Sequence, residues 1–110
     1  MRDVQLYLHE IAQSIQSIER YLAGRPREEF LRDGQLQDSV IRRLEVIGEA
    51  ARQVDDVFRQ KHPEIPWRRM AGFRDVLVHG YFGVKLDRVW DVIEKDLPEL
   101  EKNIQPLLTD

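Results

Sequence analysis

The sequence predicts an all-α protein, an up-and-down bundle of four or five helices formed by a single domain over residues 1–110. Three observations favour this fold. Apolar residues recur in a 4-3-4-3-4 spacing, which places them on one face of a helix. No segment alternates apolar and polar residues as a half-buried strand does. A chain of 110 residues, 42% apolar and 34% charged, is globular and has room for one core.

The first helix is expected to begin after Asp3, which can act as its N-cap, and to end before Gly24 and Pro26. Residues 26–33 allow one short helical turn, with Pro26 at its start and Gly34 as its end. The apolar stripe of the first helix consists of Val4, Leu8, Ile11, Ile15, Ile18 and Leu22.

The second long helix is expected from about Leu36 to Gln60, where the two prolines of residues 62–66 stop it. Its stripe repeats the same spacing at Val40, Leu44, Ile47, Ala51, Val54 and Phe58. A third helix is expected from about Pro66 to Val78, followed by a short loop over residues 80–83.

The last helical stretch is predicted from about Leu86 to Leu108. Pro98 lies inside it and should kink the helix or divide it in two, because proline has no N–H to donate. In the divided form, Asp96 would cap the second piece.

The third helix is apolar on more than one face. Trp67, Met70, Phe73 and Leu77 form a stripe that should face the core. Ala71 and Val78 form a second apolar line, and Val76 adds apolar surface elsewhere. A short chain can cover such a second face with another subunit, so the pattern predicts a homodimer that packs around this helix. The alternative is a central helix of a monomer.

Composition excludes several classes of protein. There is no Cys, so disulfides, thiolate nucleophiles and Cys-ligated metals are ruled out. The three His are too scattered to suggest a metal site, and no cofactor is expected. The net charge of −3 does not suit a protein that wraps duplex DNA. No apolar run is long enough for a membrane span, and the N-terminus does not resemble a signal peptide, so the cytoplasm is the expected location.

Local charge departs from this balance. Residues 59–86 carry six Lys and Arg against two acids, a net charge of +4, whereas residues 87–110 carry seven acids against three bases. A basic segment in an acidic chain indicates a possible anion site, and a solvated helix face is the alternative. Within this segment, the RNA-binding candidates are Arg68, Arg69 and Lys85, with the rings of Trp67 and Tyr81 as surfaces for an unstacked base.

Arg74, Asp75, His79 and Tyr81 lie within eight positions of the same segment. Asp75 and His79 are i and i+4, so on a helix the carboxylate can orient the imidazole. Arg74 lies about 140° around the helix from His79. The two meet only if Arg74 reaches around the helix or a symmetric partner supplies its own copy.

These residue types suit phosphodiester chemistry without a metal. RNA supplies its own nucleophile, the 2′-hydroxyl, and His79 can act on protons as general base or acid. Arg74 can neutralise the charge that develops on phosphorus. The products would be a 2′,3′-cyclic phosphate and a 5′-hydroxyl, and DNA would not be cut. A structural ion pair is the alternative for such a cluster.

The sequence resembles the HepT-like toxins of the HEPN superfamily. Arg74-x4-His79-Gly80-Tyr81 matches the R-x4-H-x-Y motif of that family, and further landmarks follow in order over nearly the whole chain. They are EEFLRD (28–33), RLEVIGEAA (43–51), PEIPW (63–67), MAGFRDVLVHGYFGV (70–84) and DLPEL (96–100).

The resemblance implies a helical bundle that dimerises, with the motifs of two subunits lining one cleft. It implies a toxin of a toxin–antitoxin system that acts as a metal-independent endoribonuclease. In this family pattern, Arg74 and His79 would be the catalytic pair, and Asp75 would be the polar residue that follows the motif's arginine. It also implies that an MntA-like nucleotidyltransferase antitoxin modifies Tyr81 with AMP, which would block the cleft. The alternative from another class is a non-catalytic nucleotide- or substrate-binding subunit of a nucleotidyltransferase complex.

Glu49 lies between core positions on the second long helix. A carboxylate near a core stripe needs a partner. Two alternatives are open: Glu49 pairs with Arg74 and fixes it, or it is an exposed helix charge. Gly48 beside it can allow close packing of two helices.

Overall fold

The computed structural model describes residues 3–79 and 85–109, and within these residues the chain forms helices and no strand. The helices are α1 (Val4–Leu22), α2 (Arg27–Arg32), α3 (Gly34–Gln53), α4 (Asp56–Lys61), α5 (Trp67–His79), α6 (Leu86–Asp91) and α7 (Leu97–Ile104). A π-helical turn, Val92–Asp96, joins α6 to α7, and a 3-10 turn, Gln105–Leu107, follows α7. The predicted all-α fold is confirmed.

The predicted start and end of α1 are confirmed. The Asp3 carboxylate accepts a hydrogen bond from the backbone N–H of Gln5 at 3.1 Å, as an N-cap does. The helix ends where Ala23 and Gly24 adopt positive φ angles of 46° and 76°. Glycine adopts this left-handed conformation without steric cost, which explains why the helix stops here.

The second long helix is shorter than predicted. It ends at Gln53 instead of about Gln60, and α4 is a separate helix. Asp55 causes the break, because its side chain accepts from the backbone N–H of Phe58 at 2.8 Å and starts a new helix. The guanidinium of Arg59 stabilises the turn between α3 and α4, because it donates to the backbone carbonyls of Ala51, Arg52 and Val54 at 2.9–3.1 Å. The apolar spacing continues across the break between α3 and α4, so the sequence pattern does not indicate that the helix ends there.

The C-terminal stretch is one bent rod. Pro98 has no N–H, so a regular helix would lose a hydrogen bond at this point. The chain widens into a π-helical turn, in which the N–H of Leu97 donates to the carbonyl of Val92 five residues back. The predicted cap was wrong: the side chain of Asp96 makes no capping hydrogen bond, and it pairs with Arg69 at 3.3 Å instead.

One core joins the helices. Helix α3 packs against both α1 and α5, and α7 packs against α1. The core is built from the predicted stripes, including Leu8, Ile15, Leu44, Ile47 and Leu100, all nearly inaccessible to solvent. None of the helices described is long and apolar enough to cross a membrane.

The predicted core stripe of α5 is also confirmed. Trp67 and Leu77 are buried, and Met70 and Phe73 are half-buried against the core. Val76 is 42% exposed and Val78 is 37% exposed, and the two lie about 200° apart around the helix, so α5 exposes apolar surface on two sides. Residues 80–84, with the predicted loop, lie outside the described residues.

Candidate active site

Helix α5 approaches α3 very closely at Gly48. A Cβ atom on this glycine would lie 2.2 Å from the Cβ of Arg74 and 2.8 Å from the backbone oxygen of Met70. No other residue type fits without movement of one helix. Gly48 is therefore the reason that the Arg74 backbone lies directly against α3.

Two carboxylates hold the guanidinium of Arg74. Its Nε forms an ion pair with Oε2 of Glu49 on α3 at 3.4 Å, and its Nη1 donates to Oδ1 of Asp75 at 3.2 Å. The Arg74 side chain is only 25% exposed. Of the two alternatives left open for Glu49, the structure has the pair with Arg74. The Nη2 group makes no hydrogen bond within the described part of the chain, so one edge of the guanidinium is available for an anion.

Asp75 binds two arginines at once. Arg52, one helical turn beyond Gly48 on α3, donates to the same Oδ1 atom that accepts from Arg74. The Arg52 guanidinium lowers the pKa of the Asp75 carboxyl below its usual value of 3.8, and Arg74 adds to this effect. Asp75 therefore stays ionised to a lower pH than an ordinary aspartate, although desolvation of the carboxylate acts in the opposite direction.

His79 is the last residue of α5, and its side chain is exposed. Among the described residues it makes no hydrogen bond, and Asp75 does not orient it. The sequence predicted that Asp75 can orient the imidazole of His79. In the structure its carboxylate binds the guanidiniums of Arg52 and Arg74 instead, because a charged donor makes the stronger hydrogen bond. Among the described residues no hydrogen bond joins Arg74 to His79, in agreement with their separation of about 140° around the helix.

A small groove of about 250 Å³ opens beside Arg74. Residues of α1, α3 and α5 line it, namely Glu10, Arg42, Glu45, Val46, Glu49, Arg74 and Val78. Three carboxylates and two guanidiniums, those of Arg42 and Arg74, lie on its walls, and the guanidiniums are the groups that can attract a phosphate to this position.

The predicted RNA-binding residues differ in exposure and in partners. Arg68 and Lys85 are exposed, whereas Arg69 pairs with Asp96 across a different groove. Trp67 is only 5% exposed, and its indole N–H donates to the carbonyl of His62 at 3.0 Å. The expectation that its ring stacks on a base is wrong, because the core covers the ring.

Two features of the site were not predicted from the sequence. Arg52 was missed, although its spacing from Glu49 put it on the same side of α3. Arg59 was missed because its carbonyl partners depend on the break between α3 and α4.

Tyr81 lies outside the described residues. In the described ranges, no group of three or more His, Asp and Glu side chains could hold a metal ion.

Comparison with known proteins identifies the family. A family model described as "Ribonuclease HepT-like" matches residues 11–107. A Thermococcus cleftensis protein named "Probable ribonuclease HepT" is 44% identical over 101 residues, covering 92% of each chain. This chain belongs to the HepT-like ribonuclease family. No solved structure matches it at a significant level.

Other HepT-like relatives differ in length. A protein of Caldanaerobacter subterraneus subsp. tengcongensis, named as an RNase candidate, is 39% identical over 98% of this chain and 96% of its own length. A Methanocaldococcus jannaschii protein is 42% identical over 97% of this chain, but this chain spans only 48% of that relative. Its name joins a gamma-glutamylcyclotransferase with an RNase candidate. The residues that hold Arg74 all lie inside the HepT-like match.

Proposed function

We propose that this protein is a metal-independent endoribonuclease, the toxin of a toxin–antitoxin system, with Arg74 and His79 as its catalytic residues. The observation that carries the proposal is the arrangement on α5. A guanidinium held by two carboxylates keeps one edge open, and an exposed imidazole follows on the same helix. Membership of the HepT-like ribonuclease family supports the same function.

The reaction needs only the RNA and these side chains. His79 removes the proton of a 2′-hydroxyl, and the 2′-oxygen attacks the adjacent phosphorus. The open edge of Arg74 binds the non-bridging oxygens, where charge grows as the new bond forms. The bond to the 5′-oxygen breaks, and a protonated imidazole or water returns a proton to it. The products are a 2′,3′-cyclic phosphate and a 5′-hydroxyl.

We also propose a homodimer that packs around α5. Val76 and Val78 are exposed apolar residues on this helix, and exposed apolar surface beside a site is typical of an interface. Since Arg74 and His79 do not meet in one chain, a symmetric partner would bring its own imidazole towards this chain's guanidinium.

The test of catalysis is cleavage of labelled RNA in EDTA by the wild type and two variants. General acid–base catalysis contributes roughly 10²–10⁴-fold, so His79→Ala should lose about that much activity. Arg74→Ala should lose roughly 10²–10³-fold. His62→Ala and Arg25→Gln are matched controls from elsewhere in the chain and should cut like the wild type. Equal cleavage by wild type and both site variants would refute the catalytic assignment.

The test of the dimer is sedimentation at micromolar concentration. The expected mass is twice the 13.1 kDa of one chain. Val76→Asp and Val78→Asp should reduce it to that of a monomer. Val57→Asp is the control, since Val57 is 65% exposed and lies on a different helix, α4. A wild-type mass near that of one chain would refute the dimer.

For the antitoxin, we propose an MntA-like nucleotidyltransferase that adds AMP to Tyr81. Incubation with that partner and ATP should raise the intact mass by one or more AMP units, and Tyr81→Phe should abolish the rise. Loss of the partner's adenylyltransferase activity on removal of this chain, without RNA cleavage by any preparation, would favour a non-catalytic subunit instead.

A further inference from the structure

Asp75 connects the candidate catalytic arginine to a second arginine, Arg52. Both guanidiniums donate to the same Oδ1 atom, so the two cations lie side by side with one carboxylate oxygen between them. Glu49 holds the far side of Arg74. The four side chains form a row of alternating charge, with Arg52 at one end.

The side chain of Arg52 is exposed, but its backbone is held in place by hydrogen bonds. Arg52 belongs to the last turn of α3, and its own carbonyl accepts from Nη2 of Arg59 at 3.1 Å. Arg59 also binds the carbonyls of Ala51 and Val54 at 2.9 Å, so it caps the end of this helix. A guanidinium that starts from a fixed backbone loses less entropy when it binds a carboxylate.

Asp75 has three possible cationic partners. Arg74 precedes it in sequence, Arg52 faces it from α3, and His79 follows it by four residues on α5. The carboxylate takes the two arginines and leaves the imidazole. Without Arg52, the i+4 contact with His79 would compete with Arg74 for the freed oxygen.

We propose that Arg52 is a positioning residue of this site: it holds the Asp75 carboxylate on Arg74 and away from His79. Arg52 then acts on the reaction through Asp75, and it does not touch the RNA. This inference rests on the proposed ribonuclease function for its kinetic consequences, but not for its structural ones.

Other charged groups near this part of α5 come from two helices. Those of α3 are Arg42, Glu45 and Glu49, and α1 contributes Glu10. Apart from Arg52 and Arg74, the described residues provide no cation that hydrogen-bonds or ion-pairs with Asp75. The loss of Arg52 would therefore leave Arg74 as the one described cation bound to Asp75, with His79 as the neighbour that can approach the freed oxygen.

The first measurement does not need RNA cleavage. In Arg52→Gln, carboxyl NMR titration should show a higher midpoint for Asp75, and the Nη1 protons of Arg74, which bind Asp75, should exchange faster with water. Arg52→Lys should restore part of both effects, because the charge remains. Arg25→Gln is the matched control: Arg25 is an equally exposed arginine that pairs with two carboxylates, Glu29 and Asp33. Unchanged Asp75 and Arg74 signals in Arg52→Gln would overturn the proposal.

The second measurement is kinetic. Small misplacement of a group that acts on the transition state costs up to about 100-fold, so kcat of Arg52→Gln should fall roughly 10- to 100-fold with little change in KM. The double variant Arg52→Gln/Asp75→Asn should be no slower than Asp75→Asn alone. Independent losses, or a rise in KM alone, would mean that Arg52 binds RNA directly and would overturn the positioning role.

The two measurements separate the possible failures. If the wild type cuts no RNA but the NMR effects appear, the ribonuclease function fails and Arg52 still positions Asp75. If RNA is cut and Arg52→Gln lowers only the melting temperature, the proposed function stands and the positioning role fails.

Discussion

The two sides of α5 are built differently. On one side, Gly48 lets α3 approach so closely that Arg74 lies in contact with it, and three charged side chains hold the position. On the other side, a groove of about 650 Å³ lies between α5 and the C-terminal rod of α6, the π-helical turn and α7. The fixed side carries the candidate catalytic arginine and the exposed Val78, and the open side carries the exposed Val76.

The open side has its own structure. Leu44, Ile47 and Met70 are among the residues that line the groove, and charged residues of the C-terminal rod surround it. Arg88 covers the ring of Phe73, with its guanidinium carbon 5.8 Å from the ring centre. Helix α5 is therefore anchored mainly through α3, and Arg69–Asp96 and Arg88–Phe73 link it to the C-terminal rod.

The largest expected contrast is between two apolar residues of α5 on different sides. Leu77 is 5% exposed, and burial of this kind makes Leu→Ala cost about 2–5 kcal/mol. Val76 is 42% exposed, so Val76→Ala should change the free energy of unfolding by less than about 0.5 kcal/mol. Urea unfolding at low protein concentration, where any dimer dissociates, measures both. Equal losses would contradict the description of a fixed and an open side.

The next effect is at the close contact. Gly48→Ala forces α5 away from α3, and such overpacking costs about 1–3 kcal/mol. It should also slow RNA cleavage, because Arg74 moves with the helix. Gly34→Ala is the matched control, since it lies on the same helix α3 and a Cβ there meets no atom within 4 Å. Stability and activity of Gly48→Ala equal to those of Gly34→Ala would show that the contact is not tight.

Much of this architecture could be predicted from the sequence. The apolar spacing predicted every long helix, and the two apolar faces of α5 were correctly separated into a core stripe and an exposed set. The break after Gln53 could not be predicted from the spacing, because Val54 and Phe58 keep the pattern across it while Asp55 starts a new helix. Periodicity reports which residues are buried and does not report hydrogen bonds that interrupt a helix.

The residues of the candidate site were predicted from the sequence, but most of the hydrogen bonds and ion pairs between them were not. Arg74 and His79 came from the sequence, as did Glu49 as a possible partner of Arg74. The partner of Asp75 could not be predicted, because Arg52 is 23 residues away along the chain and reaches it only through the close packing of α3 and α5. Trp67 was predicted both as a core residue and as a surface on which a base could stack, and its burial shows that it is a core residue.

A smaller effect is expected where α7 meets α1. Glu19 shares a hydrogen bond with Glu101, and this raises the pKa of Glu101 above its usual value. A carboxyl with a raised pKa in the folded state adds stability below its unfolded pKa and loses that contribution as pH rises through the folded pKa. At neutral pH the pair is therefore unfavourable.

Glu101→Gln should increase the free energy of unfolding by roughly 0.5 kcal/mol at neutral pH, because the amide can donate to Glu19 without a like charge. The gain should disappear in acid, because a protonated Glu101 no longer places a like charge beside Glu19. Glu99→Gln, an exposed carboxyl on the same helix, should show no such pH dependence. A gain that persists at low pH would mean that the two carboxyls do not interact.

The smallest expected effect on stability comes from Asp75 on the fixed side. Arg52 and Arg74 lower its pKa, so its contribution to folding is complete above the unfolded pKa of about 3.9 and is lost as pH falls through the lower folded value. Asp75→Asn should therefore be less stable than the wild type at neutral pH, and the two unfolding curves should converge in strong acid. High salt should narrow the difference at neutral pH, because the pair is exposed. A difference that does not depend on pH would show that Asp75 acts through packing, and the contrast between the two sides of α5 would then not involve its charge.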